Sequence, residues 1–431
     1  MIVSGLKMIM ADNFCERKKE VTRSLTKTCV KRLLEEVRIL EQSSENKRRK
    51  EMWQEIPASA RDQWRGVPKN DHSWKNGAIP LTIDLQNSFW AKYFNFSLVE
   101  YYSDAEVFLE NYLKITVERF KMFADDTYIV KRIPIWAGSG FEGSMFGMRV
   151  HSYPDKDPWL DNDIMIKTQD DLNKLSFPDF HTSGIMPVQI KLYEELKDII
   201  AADDTDFEVL FPEWLRGPFG LALYLRGFEN MLVDMMLDPE FAQALLAFIT
   251  AARENWYRDL AQYLGKPIQK GNLFNDEINC PTVSRQLYSE LILPFEQEIC
   301  KFHGGLLYWH SCGDVTKILE EISEIPEIDM MHIGPWTNID KAIKIFKNRM
   351  PLEINVNWQR DVLDMNEEQM RSKIMSIICD CINNDAGGFE IRLSGVSLHH
   401  SLEETIARAR MWNKAASDVI RIEKDCSSWR K

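Results

Sequence analysis

From about residue 80 onward, short apolar runs alternate with longer stretches whose apolar residues recur every three or four positions. The short runs predict strands at 129–136 (IVKRIPIW), 208–211, 271–274, 305–309 (GLLYW), 329–333, 352–356 and 388–393. The longer stretches predict helices at 239–264, 284–302, 315–322, 340–346, 366–383 and 402–415, with Pro239 suited to a first turn. Strand–helix alternation over some 300 residues predicts an α/β fold with a parallel sheet. About eight such units suit a closed (β/α)8, TIM-like barrel, whose chemistry sits at the C-terminal ends of its strands.

The preceding segment is different. Val21, Leu25, Val30, Leu33, Leu34, Val37 and Leu40 share one helix face, and the run SSENKRRKEMWQEIPASARDQWRG that follows is polar. This predicts a helical N-terminal arm over residues 1–75, charged and facing solvent, ahead of a barrel over 76–431.

Composition narrows the classes. The 431 residues carry a net charge of −13 and are 45% hydrophobic. That excludes a largely disordered chain and argues against a general nucleic-acid binder, which needs a basic surface to meet phosphate. The longest helical apolar stretch, 244–252, is about half of the roughly 20 residues a membrane span requires. The opening MIVSGLKMIMADNF is broken by Gly5 and Lys7 and does not read as a secretory signal. The 8 cysteines are scattered without a CxxC pair. Reduced thiols in a cytoplasm are therefore expected.

Candidate chemistry gathers at predicted strand ends. In YWHSCGD, alternation places Leu306, Tyr308, His310 and Cys312 on one face, and an imidazole and a thiolate two residues apart can share one zinc ion. Asp276 and Glu277 follow the strand GNLF, where adjacent carboxylates can act as metal ligand, general acid or substrate clamp, or simply cap a helix. In LEINVNW and GFEIRLSG, parity sets Glu353, Asn355 and Asn357, and Glu390 and Arg392, on faces opposite the apolar residues. An interior polar network follows, in which Arg392 either balances buried carboxylates or holds an anionic group. His332 also sits at a strand end, and His399–His400 follow the last strand. The glycine-rich run 138–147 lacks the spacing of a phosphate loop and reads as a substrate-gating or positioning loop.

Taken in order, several segments resemble the uroporphyrinogen decarboxylase superfamily, which includes cobalamin-dependent methyltransferases. They are RGPFGLALYLRGFENMLVDMMLDPE at 216–240, SRQLYSELILPFEQEI at 284–299, HSCGDVTKILEEI at 310–322 and GGFEIRLSGVSLHHSLEETIAR at 387–408. The resemblance spans roughly residues 80–420 and implies a TIM-like barrel. Because barrels of this superfamily commonly pair through added helices, it also implies that the N-terminal arm serves oligomerisation, as a homodimer, or docking of a corrinoid partner. True decarboxylases of this family grip porphyrinogen carboxylates with an arginine-rich N-terminal segment; residues 78–92, AIPLTIDLQNSFWAK, contain no arginine. The methyltransferase branch holds zinc with His-x-Cys and a later Gly-Cys. His310 and Cys312 match the first pair, but Gly395–Val396 stands at the last, where Glu277, Asp276, His332 or His399 could complete a site as oxygen or nitrogen ligands.

The resemblance therefore implies a relative that takes a methyl group from a small methoxylated aromatic and passes it to the cobalamin of a corrinoid protein. The site it implies has Asp276, Glu277, His310, Glu390 and Arg392 as catalytic groups. Zinc would rest on Glu277, His310 and Cys312. An aromatic mouth of Trp136, Phe141, Tyr308, Trp336 and Trp358 would hold the substrate with His332, Asn355 and Asn357. Decarboxylation of a non-porphyrin acid, and methyl transfer from methylcobalamin to a thiol or folate, are the alternatives.

Overall fold

A computed structural model of the chain describes residues 28–54, 66–203 and 206–425. Eight parallel strands follow one another along the chain: β1 (Leu81–Leu85), β2 (Arg132–Pro134), β3 (Glu208–Leu210), β4 (Gly271–Phe274), β5 (Leu306–His310), β6 (Met331–Ile333), β7 (Leu352–Asn357) and β8 (Phe389–Val396). Six form one sheet in the order β1-β8-β7-β6-β5-β4, and β2 pairs with β3. Residues just past β3 continue the wall, since Phe274 N–H donates to the Leu215 carbonyl at 2.8 Å and Gly217 N–H to that of Phe274 at 2.9 Å. The architecture is the expected TIM-like barrel.

The helices between strands carry one buried stripe each. The principal ones are α1 (Ala105–Met122), α2 (Met186–Ala202), α3 (Pro239–Leu264), α4 (Leu293–His303), α5 (Ile339–Phe346), α6 (Glu367–Asn383) and α7 (Leu402–Asp425). The Asp238 side chain caps α3 by accepting from Phe241 N–H, and Pro239 occupies the first turn. No helix of the described residues is long and apolar enough to cross a membrane.

The seam between β1 and β2 is closed by side chains. Asp126 Oδ2 accepts from Leu81 N–H and Asp125 Oδ2 from Ile83 N–H, each at 3.0 Å. Unpaired edge amides are thereby satisfied without a strand partner.

The N-terminal segment is bound to this seam. In the helix at 28–42, Val30, Leu33, Leu34 and Val37 belong to the main core, while Val21 and Leu25 of the expected face lie outside the described residues. The basic run is solvated at Lys47 and Arg48, as expected, but not at Arg49. Arg49 is buried, donates to the Thr127 carbonyl at 2.9 Å and lies 3.6 Å from Asp125; Asn46 Nδ2 donates to the Ile129 carbonyl at 3.0 Å. Val67 packs with Leu307, Tyr308 and Met330 in a small cluster separate from the main core.

Candidate functional site

The His-x-Cys segment owes its shape to close backbone packing. A Cβ on Gly313 would lie 2.8 Å from the Ile278 carbonyl, so only glycine lets the turn after β5 sit against the turn after β4. Ser311, beside it, donates to that same carbonyl at 2.9 Å. His310 Nε2 is then 3.0 Å from Asp276 Oδ1 and 3.2 Å from Cys312 Sγ, and Cys312 N–H donates to Asp276 Oδ1 at 3.2 Å. One expected feature differs: the β4–β5 register slips near Leu307, which places Leu306 in the main core and leaves Leu307 with Tyr308.

His332 on β6 joins this group. Its ring centroid is 3.9 Å from that of His310, and ligand atoms of His310, Cys312 and His332 all lie within 4.8 Å of one another. His332 Nδ1 faces Glu353 Oε1 at 2.9 Å and the Tyr308 hydroxyl at 2.9 Å. Tyr308 itself donates to Glu353 Oε1. The His332 Nε2 atom is buried with no hydrogen-bond partner. An orphaned imidazole nitrogen beside a second imidazole and a thiol is the donor set a zinc-class ion takes.

Electrostatics separates the two imidazoles. Burial and the neighbouring His310 push His332 down to about 3, so it is neutral with a free lone pair. Burial alone would also disfavour charge on His310, but Tyr308, Asp276 and Cys312 outweigh it and raise its pKa well above the usual imidazole value. Asp276, despite its partly enclosed position, is held below the ordinary carboxylate range by His310 and Arg216. The group is thus an ion pair of His310 and Asp276 beside a neutral His332, with the Cys312 side chain exposed.

Glu277 faces elsewhere. Its carboxylate is paired with Arg216, whose guanidinium also covers the Tyr224 ring at 4.7 Å. The expected zinc set of Glu277, His310 and Cys312 is thus corrected: the third donor that converges is His332. Burial raises the Glu277 pKa against the pull of Arg216. Arg216 is fixed from behind by Glu142, whose Oε1 accepts from Leu215 N–H at 2.8 Å and Arg216 N–H at 2.9 Å.

Glu142 belongs to the glycine-rich run, which is a buried helical turn (Phe141–Met145) rather than an open gating loop. A Cβ on Gly143 would meet Leu160 Cδ1 at 2.5 Å.

The interior network expected from parity is present. Glu353 is in register with Glu390, and Asn355 with Arg392. Arg392 Nη2 lies 2.7 Å from Asp84 Oδ2, with Nη1 3.8 Å from Glu353 Oε2. Thr82 donates to Glu390 Oε2 at 2.9 Å, and burial together with Glu353 holds the Glu390 pKa well above the carboxylate range. Arg392 is therefore already balanced by carboxylates. Asn355 Nδ2 donates to Glu353 Oε1 at 3.1 Å. Asn357, in contrast, caps the turn after β7 by accepting from Arg360 N–H at 2.8 Å.

The aromatic residues divide. Phe141 is buried edge-on to Trp256, and Trp358 is buried in the core, so neither lines an open mouth. Tyr308 is buried beneath the histidines. Trp136 and Trp336 are exposed, on segments leaving the C-terminal ends of β2 and β6, with Arg360 4.8 Å over the Trp336 ring.

Besides Glu142 and Asp84, the carboxylate of Glu296 escaped the sequence reading. Glu296 on α4 is fully buried and accepts from Asn275 Nδ2 at 2.8 Å, Tyr288 hydroxyl at 2.6 Å and Trp309 Nε1 at 2.9 Å. It thus ties the residue before Asp276 to the residue before His310. The only sequence signal was a glutamate on the apolar stripe of a helix.

Comparison with known proteins places this barrel. The profile of the uroporphyrinogen decarboxylase (URO-D) family matches residues 96–389, well over half of the chain. The chain belongs to the URO-D family. Among solved structures it is similar to a methyltransferase from Methanosarcina mazei, at 13% sequence identity and a TM-score of 0.54, over 79% of this chain and 96% of that one. That likeness supports the fold. No curated protein sequence matches the chain. Within this URO-D barrel, His310, Cys312, His332 and Asp276 occupy the C-terminal strand ends where the architecture concentrates chemistry.

Proposed function

We propose that this chain is a methyltransferase that removes the methyl group of a small methoxylated aromatic and delivers it to the cobalamin of a corrinoid protein. The observation that carries the reading is the convergence of His310, Cys312 and His332 at the mouth of a URO-D barrel, with one imidazole nitrogen left without a partner. An aryl methyl ether is inert to substitution at its methyl carbon because phenolate leaves poorly. The site must therefore activate the ether oxygen.

His310, Cys312 and His332 would hold a zinc ion, which when bound would supply Lewis acidity to that oxygen. The chain's own residues set up the rest. Glu353 and Tyr308 orient His332 from its Nδ1 side, and the Tyr308 hydroxyl, 3.1 Å from His310 Nδ1, orients His310, whereas Asp276 meets His310 at Nε2, the nitrogen facing Cys312. In the metal-free state the imidazolium of His310 stands ready to protonate the departing phenolate. Trp136 and Trp336 offer exposed aromatic faces beside the mouth. The absence of arginine from residues 78–92 argues against a porphyrinogen as substrate.

The test is anaerobic incubation of the zinc-replete protein with cob(I)alamin and a panel of methoxylated aromatics. The expected result is conversion to methylcobalamin with one phenol released per methyl, lost in Cys312→Ser. No methyl transfer across the panel overturns the reading. Release of CO₂ from a carboxylated aromatic by chelator-treated protein would replace it with decarboxylation.

A further inference from the structure

A second group of metal-type donors lies past β8, in the segment that leads into α7. Ligand atoms of His399, His400 and Glu404 all lie within 4.8 Å of one another. Adjacent residues of an extended chain point their side chains apart. These two do not: His400 has φ +50°, and the two rings come to 4.0 Å between centroids at 57°. That left-handed backbone is one a residue with a side chain seldom adopts.

The donors are held from their backbones. His399 N–H donates to Thr405 Oγ1 at 2.8 Å, and the same hydroxyl lies 3.1 Å from the His399 carbonyl. Thr405 is fully buried. Glu404 N–H donates to Ser401 Oγ at 3.1 Å, which fixes the first turn of α7. From there Glu404 Oε1 is 3.9 Å from His399 Nε2. The start of a long helix is electropositive and opposes a cation, but Glu403 and Glu404 stand in this turn and offset it.

We propose that His399, His400 and Glu404 form a second, solvent-facing site for a zinc-class divalent ion, separate from the His310 group. Two imidazoles and one carboxylate suit Zn²⁺ and its first-row neighbours rather than Mg²⁺ or Ca²⁺, which prefer all-oxygen sets. Three protein donors leave at least one position open. His400 and Glu404 are exposed, so that position faces solvent at the end of the barrel where β8 terminates.

The experiment is titration of the chelator-stripped full chain with Zn²⁺ by calorimetry, with inductively coupled plasma mass spectrometry for stoichiometry. The wild type is expected to take two ions. His400→Ala and Glu404→Gln should each weaken one of them at least tenfold and leave the other unchanged. Cys312→Ser should do the reverse, and the His400→Ala/Cys312→Ser double variant should bind none tightly. With Co²⁺, the ion retained by Cys312→Ser should lack a thiolate charge-transfer band. Zinc binding indistinguishable from wild type in both His400→Ala and Glu404→Gln overturns the proposal, as does a single ion lost only in Cys312→Ser. Either result leaves the His310 group and the methyl-transfer reading untouched.

Discussion

His332 and Glu353 stand in register on adjacent parallel strands, both buried, with Nδ1 and Oε1 2.9 Å apart. A carboxylate can only accept here, so the proton of neutral His332 is assigned to Nδ1 and the lone pair to Nε2. Carboxylates that orient a ligating histidine in this way typically change metal affinity by 10- to 100-fold. Glu353→Gln is therefore expected to weaken zinc binding at the Cys312-dependent site by that factor. The measurement is a competition titration against a chromogenic chelator. An unchanged affinity would mean that His332 does not ligate through Nε2.

Glu296 gives the fold a pH dependence. Burial pushes its carboxyl up to about 7 from an ordinary 4.5, against the pull of Tyr288, Trp309 and Asn275. The folded state therefore holds this proton more tightly than the unfolded chain. Its contribution is fully present below about pH 4.5 and is lost as pH rises to about 7, a change of about 3 kcal/mol. Glu296→Gln removes the titration. The stability advantage of the wild type over this variant, read as the difference in melting temperature, is expected to shrink from pH 5 to pH 8. Parallel pH profiles for the two proteins would refute a raised Glu296 pKa.

The barrel was legible in the sequence because strands buried on both faces read as apolar runs and their helices carry clean stripes. Gly271–Phe274 and Pro239–Leu264 begin and end as the pattern indicated. The first strand, Leu81–Leu85, was missed. Part of its edge is completed by the Asp125 and Asp126 side chains, which no periodicity reports. In the site, parity correctly set Glu353, Glu390 and Arg392 inward. Which donors converge depends instead on where separate strand ends meet. That is why His332 rather than Glu277 joins His310 and Cys312, and why the hold of Glu142 on Arg216, 74 residues away, left no local trace. Arg49 looked solvated because its burial depends on Asp125, equally remote in sequence.

Arg216 and Glu277 should behave as a coupled pair. Each is about one-eighth exposed, at 12% of its side-chain surface, and Glu277 Oε2 has no hydrogen-bond partner. Removing one partner of a largely buried pair leaves the other charge unpaired, typically at a cost of about 3 to 5 kcal/mol. Arg216→Met is expected to destabilise the chain strongly. Arg216→Met/Glu277→Gln should recover much of that loss, because the second change removes the stranded charge. A double-mutant cycle in denaturant measures the coupling, and additivity of the single effects would show that the pair is not interacting.

Arg49 tests whether the N-terminal segment is structurally part of the barrel. Its guanidinium lies 3.6 Å from Asp125, donates to the Thr127 carbonyl and covers the Phe120 ring at 4.0 Å. Asp125 in turn accepts from Ile83 N–H on β1 and from Arg119, so the segment is bonded to the strand edge that lacks a strand partner. Arg49→Met keeps the stem that packs on Phe120 but removes the charge and the donors. Arg119 still neutralises Asp125, so the expected loss lies toward the lower end of the range for broken buried pairs, about 3 kcal/mol. The loss should appear as a lower denaturation midpoint and faster proteolysis within residues 28–54. Arg49→Lys should fall between the two, because an ammonium restores the charge but not the planar array in which Nε donates to Glu45, Nη1 to the Thr127 carbonyl and Nη2 to the Phe120 and Phe123 carbonyls. If Arg49→Met melts with the wild type and resists protease equally, the apolar face of Val30, Leu33, Leu34 and Val37 alone holds the segment in place.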